Sequence, residues 1–154
     1  MIQLKKIQLR DIWKLRRWRN HPDTRQFMHT THEITFWEHL WWFIKNYFSP
    51  LVLLYKAVNT VNNEIGVIRI TKENDDYFHL SYVVNPSFRN QGYGTQMLER
   101  ILLTKRPYKA QTKKTNRASV KLLIKTGFDV LESDNKTITF VHNPHMIEDP
   151  PPFI

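Results

Sequence analysis

One short segment of the chain combines unhindered backbone with positive charge. It holds two of the four glycines of the 154-residue chain, and it separates the apolar run Val83-Val84 from a helical pattern. The first N–H groups of a helix lack partners within it, and glycine lets an anion approach them. Arg89 adds a permanent charge. The residues expected to bind a phosphate or pyrophosphate are Arg89, Asn90, Gln91, Gly92, Tyr93, Gly94 and Thr95.

Two common phosphate-binding motifs do not fit this segment. The P-loop requires a Gly-Lys-Ser/Thr sequence, which does not follow it, and the dinucleotide-binding fingerprint requires a third glycine where Met97 stands. A glycine-containing turn that binds nothing is the alternative interpretation.

A second set of motifs lies further along the chain. It consists of Asn116-x-x-Ser119 and the sequence Lys125-Thr126-Gly127-Phe128. Together with Arg89-x-x-Gly92-x-Gly94 after a strand, these motifs resemble the acyl-CoA signature and the second motif of the GNAT N-acetyltransferase superfamily. The resemblance implies transfer of an acetyl or short acyl group from acetyl-CoA, or another short acyl-CoA, to a primary amine in a ternary complex. It also implies an α/β (α+β) fold.

The same resemblance suggests which residues hold the cofactor. The backbone of Val83 and Val84 would bind the pantetheine arm, and residues 89–95 would bind the pyrophosphate. Asn116 and Ser119 would contact the cofactor near its pantetheine or orient a water molecule.

The general acid that assists the leaving thiolate is an open question. Many members of the superfamily carry a tyrosine seven residues after the motif asparagine, but Leu123 stands there in this chain. Ser119, Tyr82 or water is therefore expected to take that role, and an acyltransferase fold without turnover is a further alternative.

The amine must lose a proton before or during its attack, which calls for a general base or a water path. His79 is the first candidate, because imidazole titrates near working pH and the residue precedes the cofactor segment. Glu33 is the second, because the loop between the first two helices lines the acceptor site in the superfamily. A hydrogen-bonded strand histidine and a capping glutamate are the competing interpretations.

The N-terminal half resembles one branch of the superfamily. The residues concerned are 18–25 (Trp-Arg-Asn-His-Pro-Asp-Thr-Arg), Glu33-Ile34-Thr35 and Trp37-Glu38-His39-Leu40. That branch contains N-acetyltransferases of nucleotide-linked amino sugars, notably of the pseudaminic acid pathway; the ribosomal-protein N-terminal acetyltransferases are less similar. The resemblance implies a nucleotide-linked amino sugar as acceptor, with a protein or peptide amino terminus as alternative. The expected acceptor contacts are Arg19, Asn20, His29, His32, Glu33, Trp37 and Trp41.

The tryptophans of residues 36–43 allow more than one interpretation. Trp37, Trp41 and Trp42 cannot all face one side of a helix, so at least one is expected at a pocket rim, a dimer contact or a membrane surface. We favour core packing with a homodimer contact over a stacking wall for a sugar or base.

A metal site is not expected. His29-x-x-His32 has no carboxylate or cysteine partner in register, and the chain contains no cysteine, which also excludes disulfides.

The apolar periodicity predicts one mixed, mostly antiparallel sheet of about seven strands flanked by about four helices. Strands are expected at residues 2–7, 51–58, 65–71, 77–84, 108–113, 128–131 and 137–141. One helix should follow Asp11 and end at Asn20-His21-Pro22-Asp23, and three more are expected at 36–48, 94–105 and 116–126. We expect one domain over residues 1–142 and a proline-rich extended tail over 143–154.

The net charge of +9 permits nucleic acid, an anionic membrane or a phosphorylated small molecule as partner. Because the basic residues are dispersed, a solvated basic surface is preferred to a dedicated nucleic-acid stripe. The partner that the resemblance implies is a small-molecule amine rather than nucleic acid, and a non-enzymatic basic binding module is the alternative. The chain has no apolar run long enough to span a bilayer and no secretory signal, so a cytoplasmic location is expected.

Overall fold

A computed structural model describes residues 1–73 and 76–144, which form one seven-stranded sheet with helices on both faces. The strands are β1 (Ile2–Lys6), β2 (Val52–Asn59), β3 (Glu64–Lys72), β4 (Phe78–Val84), β5 (Tyr108–Lys113), β6 (Asp129–Ser133) and β7 (Thr137–His142). The helices are α1 (Ile12–Asn20), α2 (Pro22–Arg25), α3 (Phe36–Tyr47), α4 (Tyr93–Leu102) and α5 (Arg117–Lys125).

The sheet order is β1-β2-β3-β4-β5-β7-β6, and every neighbouring pair is antiparallel except β4 and β5. The parallel pair is joined only at Phe78–Tyr108 and His79–Lys109. Beyond these positions the two strands have no ladder contact, so the sheet opens into a gap between the rest of β4 and the rest of β5.

Two apolar clusters hold helices to the sheet. Because strand side chains alternate between faces, Ile68 belongs to one cluster and its neighbour Val67 to the other. The first cluster fixes α4 and α5 through residues such as Met97 and Leu123, both almost fully buried. The second fixes α1 and α3, with Phe43 only 1% exposed.

A small ionic network ties the start of α1 to β2 and β3. Lys56 Nζ lies 2.9 Å from Asp11 Oδ1 and 3.1 Å from Glu64 Oε1, and Lys14 pairs with Glu64. Burial alone would raise the pKa of Asp11. The hydrogen bonds from the Gln8 N–H and Lys56, with the charges of Lys56 and Lys14, outweigh burial and lower that pKa below 3.8. The carboxylate therefore stays charged inside the fold.

The α/β fold is confirmed, and the strands lie close to their expected bounds. No helix was expected between the end of the first helix and residue 36, so α2 was missed, because Pro22 ends α1 and also occupies the first turn of a new helix. The helix expected at 94–105 begins at Tyr93 and ends earlier, at Leu102, and Lys105 has a φ of 53°. From residue 145 onward, the expected tail lies outside the described residues.

Candidate functional site

The gap between β4 and β5 presents free backbone along one edge of β4. The Phe78 N–H donates to the Pro107 carbonyl, 2.9 Å away on the β5 side. Since backbone groups alternate between the two edges of a strand, the N–H of Leu80 also lies on the β5 edge, still within the paired part, and those of Tyr82 and Val84 face the gap. The backbone of Val83 faces β3 instead, and its carbonyl oxygen lies against Gly66. Of the two valines expected to bind through their backbone, only Val84 therefore turns that backbone to the gap.

A tyrosine and a serine meet beside this gap. Tyr82 Oη lies 2.7 Å from Ser119 Oγ, in the first turn of α5. Burial raises the pKa of Tyr82 to about 12, against the smaller opposing effect of the Ser119 hydrogen bond. The phenol is therefore neutral near pH 7 and can donate a proton. Asn116 caps α5 by accepting from the Ser119 N–H at 3.2 Å, so it positions the serine.

The segment 89–95 has the backbone shape of an anion cradle. Gly92 has a φ of +77°, and a Cβ added there would meet no atom within 4 Å. Its carbonyl accepts the hydrogen bond from the Gln96 N–H, 3.3 Å away, so the preceding N–H groups of residues 93–95 lie in the unpaired first turn of α4. Gly94 serves packing, since a Cβ there would lie 2.9 Å from Leu122 Cδ2 of α5.

The side chain of Arg89 is directed toward α2. Its guanidinium donates to Thr24 Oγ1 and lies 4.0 Å from Asp23 Oδ2. At the end of β5, Lys113 Nζ donates to the Gln26 carbonyl at 3.2 Å. The segment from α2 to Gln26 is thus attached both to Arg89, five residues after β4, and to the last residue of β5.

A second concavity of about 430 Å³ opens beside α1. Its lining residues are Trp13, Arg16, Arg17, Asn20, His21 and Glu33. Glu33 is its only carboxylate. His21 Nδ1 accepts from the Asp23 N–H at 3.3 Å, which leaves the proton of the neutral ring on Nε2. The pocket therefore offers mainly hydrogen-bond donors and positive charge.

The loop beside this pocket is held by side chains of α1. Asn20 binds both backbone groups of Ile34, each at 2.9 Å, and Arg16 also donates to the Ile34 carbonyl. Arg19 Nη2 donates to the Thr30 carbonyl at 2.7 Å. Arg19 Nη1 is buried and has no hydrogen-bond partner in residues 1–73 and 76–144. Of the two α1 residues expected to contact an acceptor, Asn20 is used by the loop, whereas Arg19 keeps a donor.

The two candidate bases occupy different places. Glu33 lines the pocket, with its carboxylate 3.9 Å from Arg25. His79 lies where β4 and β5 are still paired, and its Nε2 is 3.5 Å from Glu73 Oε2. Tyr82 follows it by three positions, about 10 Å along the strand, and its side chain lies on the opposite face. The geometry thus brings Glu33, and not His79, to the pocket.

The other expected acceptor contacts lie outside the pocket lining. His32 Nε2 is 3.6 Å from Glu38 Oε1, and His29 is exposed on the same loop. Trp37 and Trp41 are 74% and 72% exposed on α3.

Sequence reasoning missed part of the pocket wall. Trp13, Arg16 and Arg17 were not selected, although with Asn20 they recur at positions i, i+3, i+4 and i+7 and so share one face of α1. That spacing alone would have predicted that these side chains lie side by side on the helix surface. By contrast, nothing in the sequence links Thr24 to Arg89, which is 65 positions away.

Neither a metal cluster nor a membrane-spanning helix occurs in the described part of the chain. No group of three or more histidine and acidic side chains could hold an ion there, and its helices are too short or too polar to cross a bilayer.

Comparison with solved structures places the fold among acetyltransferases. A domain from Methanocaldococcus jannaschii DSM 2661 superposes with a TM-score of 0.82 at 16% identity, covering 93% of this chain and 98% of that one. Spermidine N-acetyltransferase from Vibrio cholerae, in complex with CoA and spermine, gives 0.80 at 13% identity, with 92% and 94% covered. A protein provisionally assigned as a phosphinothricin N-acetyltransferase gives 0.76 at 19% identity, with 94% and 99% covered.

No curated protein sequence matches the chain. The model of the acetyltransferase (GNAT) domain matches residues 2–129, which include β4, the segment 89–95 and α5. Since that match spans most of the chain, and the gap and anion cradle lie within it, the protein belongs to the GNAT acetyltransferase family.

Proposed function

We propose that this enzyme acetylates the primary amine of a small molecule that also carries an anionic group, with a nucleotide-linked amino sugar as the best candidate. The observation that carries the proposal is the charge of the pocket beside α1. Arg16 and Arg17 line it, and Glu33 is the only acidic lining residue. Arginine binds phosphate through paired donors, so a pyrophosphate-linked acceptor suits this wall.

The gap and the anion cradle fit acetyl-CoA, the cofactor of this family. The open space at Gly92 leaves room for a phosphate against the first turn of α4, and the gap-facing backbone of β4 can pair with an extended amide chain. When bound, the cofactor supplies an acetyl thioester for attack by the amine. We assign phosphate binding to residues 89–95, and pairing with the extended arm to the Tyr82 and Val84 backbone.

Tyr82 is the proposed general acid. Its neutral hydroxyl is oriented by Ser119 and stands beside the gap, so it can protonate a departing thiolate. Ser119 is the positioning residue, because its own N–H is held by Asn116.

Glu33 is the proposed base, since it is the carboxylate of the acceptor pocket. His79 is the competing candidate. It would have to act through water from the other face of β4, because its strand position separates it from Tyr82.

A polyamine is a poor acceptor on electrostatic grounds. The Vibrio cholerae structure contains spermine, a polycation, and belongs to a spermidine N-acetyltransferase. In the present chain a polycation would meet Arg16, Arg17 and a net charge of +9. Like charges brought together in a partly desolvated pocket cost binding free energy.

The acceptor test is a measurement of CoA release with three amines: a uridine-diphosphate-linked amino sugar, spermidine, and a peptide with a free amino terminus and acidic side chains. The proposal expects turnover with the nucleotide sugar and little with spermidine. Arg17→Gln should raise KM for the anionic acceptor about tenfold or more, as expected for one charged hydrogen bond, and leave KM for acetyl-CoA unchanged. Arg100→Gln, an exposed change on α4, is the matched control.

Preference for spermidine would overturn the assignment of an anionic acceptor without affecting the family assignment. Turnover of the peptide alone would move the acceptor to a protein amino terminus. Equal effects of Arg17→Gln and Arg100→Gln would show that the pocket does not bind the acceptor.

The cofactor site has its own test by calorimetry. Gly92→Glu should abolish acetyl-CoA binding, because it puts a negative charge where a phosphate belongs. Gly92→Asn is the control, since asparagine tolerates the positive φ and adds no charge. Equal affinity of the two variants would place the phosphates elsewhere.

A further inference from the structure

The outward face of α3 is apolar along its whole length. Trp37, Trp41, Ile44 and the C-cap residue Phe48 recur at intervals of four, three and four residues, which places them within an arc of about 60°. Their exposed fractions are 74%, 72%, 40% and 69%. We call these four side chains the α3 stripe.

The core does not explain this stripe. His39 and Phe43 on the opposite side of α3 are 3% and 1% exposed, so the helix already buries its inner face. A surface helix normally turns polar residues outward, but here Glu38 and Lys45 are displaced to one flank. The stripe exposes roughly 500 Å² of mostly aromatic surface, which is at the upper end of the patches that monomers leave uncovered.

The order of residues in the stripe is symmetric. Trp37 and Phe48 lie equally far from its midpoint, and so do Trp41 and Ile44. A second α3 placed antiparallel across a twofold axis would therefore bring Trp37 against Phe48 and Trp41 against Ile44. This is the self-complementarity that a twofold interface requires.

The charges on the flank follow the same symmetry. Glu38 and Lys45 are exposed, lie on the same side of the stripe and are seven residues apart. In an antiparallel pair related by a twofold axis, the same flanks meet. Glu38 of each copy would then lie within about 3 Å along the axis of Lys45 of the other, giving two opposite-charge pairs. An anionic membrane would instead place Glu38 against like charge.

We propose that the α3 stripe is the surface through which a second copy of this chain binds, in an antiparallel α3–α3 dimer. Trp13, 59% exposed and stacked on Phe36 at 4.8 Å, extends the patch at one end, and Leu51, 58% exposed, follows the helix at the other. Two such surfaces would bury roughly 1,200 Å² in total, enough for a specific interface of about micromolar strength.

The arrangement also places the second copy beside the pocket. Trp13 belongs both to the pocket wall and to the end of the patch near Trp37. The C-terminal end of the second α3 would lie at that point and form part of the pocket rim.

The test is sedimentation velocity of the full chain over a range of concentrations. The unmodified protein should dimerise, and Trp41→Glu should raise the dimer dissociation constant about a hundredfold, because it buries a charge against the second copy. Val61→Glu, at a 71% exposed site in the turn between β2 and β3, should leave the dimer intact. Far-UV circular dichroism and unchanged acetyl-CoA affinity would show that both variants are folded.

A charge exchange tests the antiparallel register. Lys45→Glu should weaken the dimer, and Glu38→Lys added to it should restore association. Failure of the double variant to restore it, while it remains folded, would overturn the register. A monomeric parent protein, a dimer indifferent to Trp41→Glu, or binding of the monomer to phosphatidylglycerol vesicles that Trp41→Glu abolishes would each overturn the proposal.

Discussion

Removing the hydroxyl group of Tyr82 should lower kcat much more than it lowers the free energy of unfolding. Tyr82→Phe keeps the ring and deletes the hydrogen bond of 2.7 Å to Ser119. A neutral hydrogen bond of this kind contributes about 1 kcal/mol to folding. If the hydroxyl is the general acid, kcat should fall about a hundredfold, which corresponds to about 2.7 kcal/mol of transition-state stabilisation.

The chain contains a matched control for this change. Tyr108 Oη lies 2.7 Å from Thr104 Oγ1, but Tyr108 is fully buried in the apolar cluster under α4 and α5. Tyr108→Phe should therefore cost a similar free energy of unfolding and leave kcat nearly unchanged. The assay is CoA release at saturating acetyl-CoA and acceptor, with urea denaturation of both variants.

The pH profile gives a second measurement on the same residue. An ordinary tyrosine has a pKa of 10.0, whereas burial raises the pKa of Tyr82 to about 12. The acid form should therefore persist, and kcat should not decline through tyrosine ionisation below about pH 10. Equal kcat values for Tyr82→Phe and Tyr108→Phe would refute the assignment of Tyr82 as the acid.

Three further changes test other parts of the structure. Glu33→Gln should lower kcat about a hundredfold, and His79→Gln less than threefold, in the same CoA-release assay; the reverse order would make His79 the base. Lys56→Met should cost about 2 kcal/mol in urea denaturation at neutral pH, because the buried Asp11 carboxylate loses its nearest cation and keeps Lys14 at 3.6 Å. Since the folded pKa of Asp11 is depressed, its stabilising effect exists above about 3.8 and is lost as pH falls further, so the variant and parent should converge in acid. Gly66→Ala should destabilise by about 2 kcal/mol or more in the same denaturation, because its Cβ would overlap a carbonyl oxygen of β4.

The sequence supports local predictions better than those that depend on tertiary contacts. Helix α4 begins within residues 89–95, as expected, because the glycines, the turn residues and the apolar periodicity that predict this start are all local signals. The difference between Val83 and Val84 depends on which edge of β4 faces β3, and this follows only from strand pairing. The bond of Arg89 to Thr24 likewise depends on two distant segments meeting, and no local pattern encodes that meeting.

The fold class was predictable for a different reason. Strand and helix lengths follow from apolar periodicity, and their order alone restricts the possible architectures. The short helix α2 was not predictable in this way, because four residues carry too little periodicity to separate a helix from a turn.

The two-residue contact between β4 and β5 has a consequence for amide hydrogen exchange. The amides of Ser81 and Val83 point to β3 and are protected by the ladder, and that of Leu80 still lies in the paired part of β4 and β5, whereas those of Tyr82 and Val84 have no strand acceptor across the gap. In the free enzyme this strand should therefore show alternating slow and fast exchange along the four consecutive positions from Ser81 to Val84. A molecule seated in the gap would slow the fast set alone, so these amides would report occupancy residue by residue, without an activity assay.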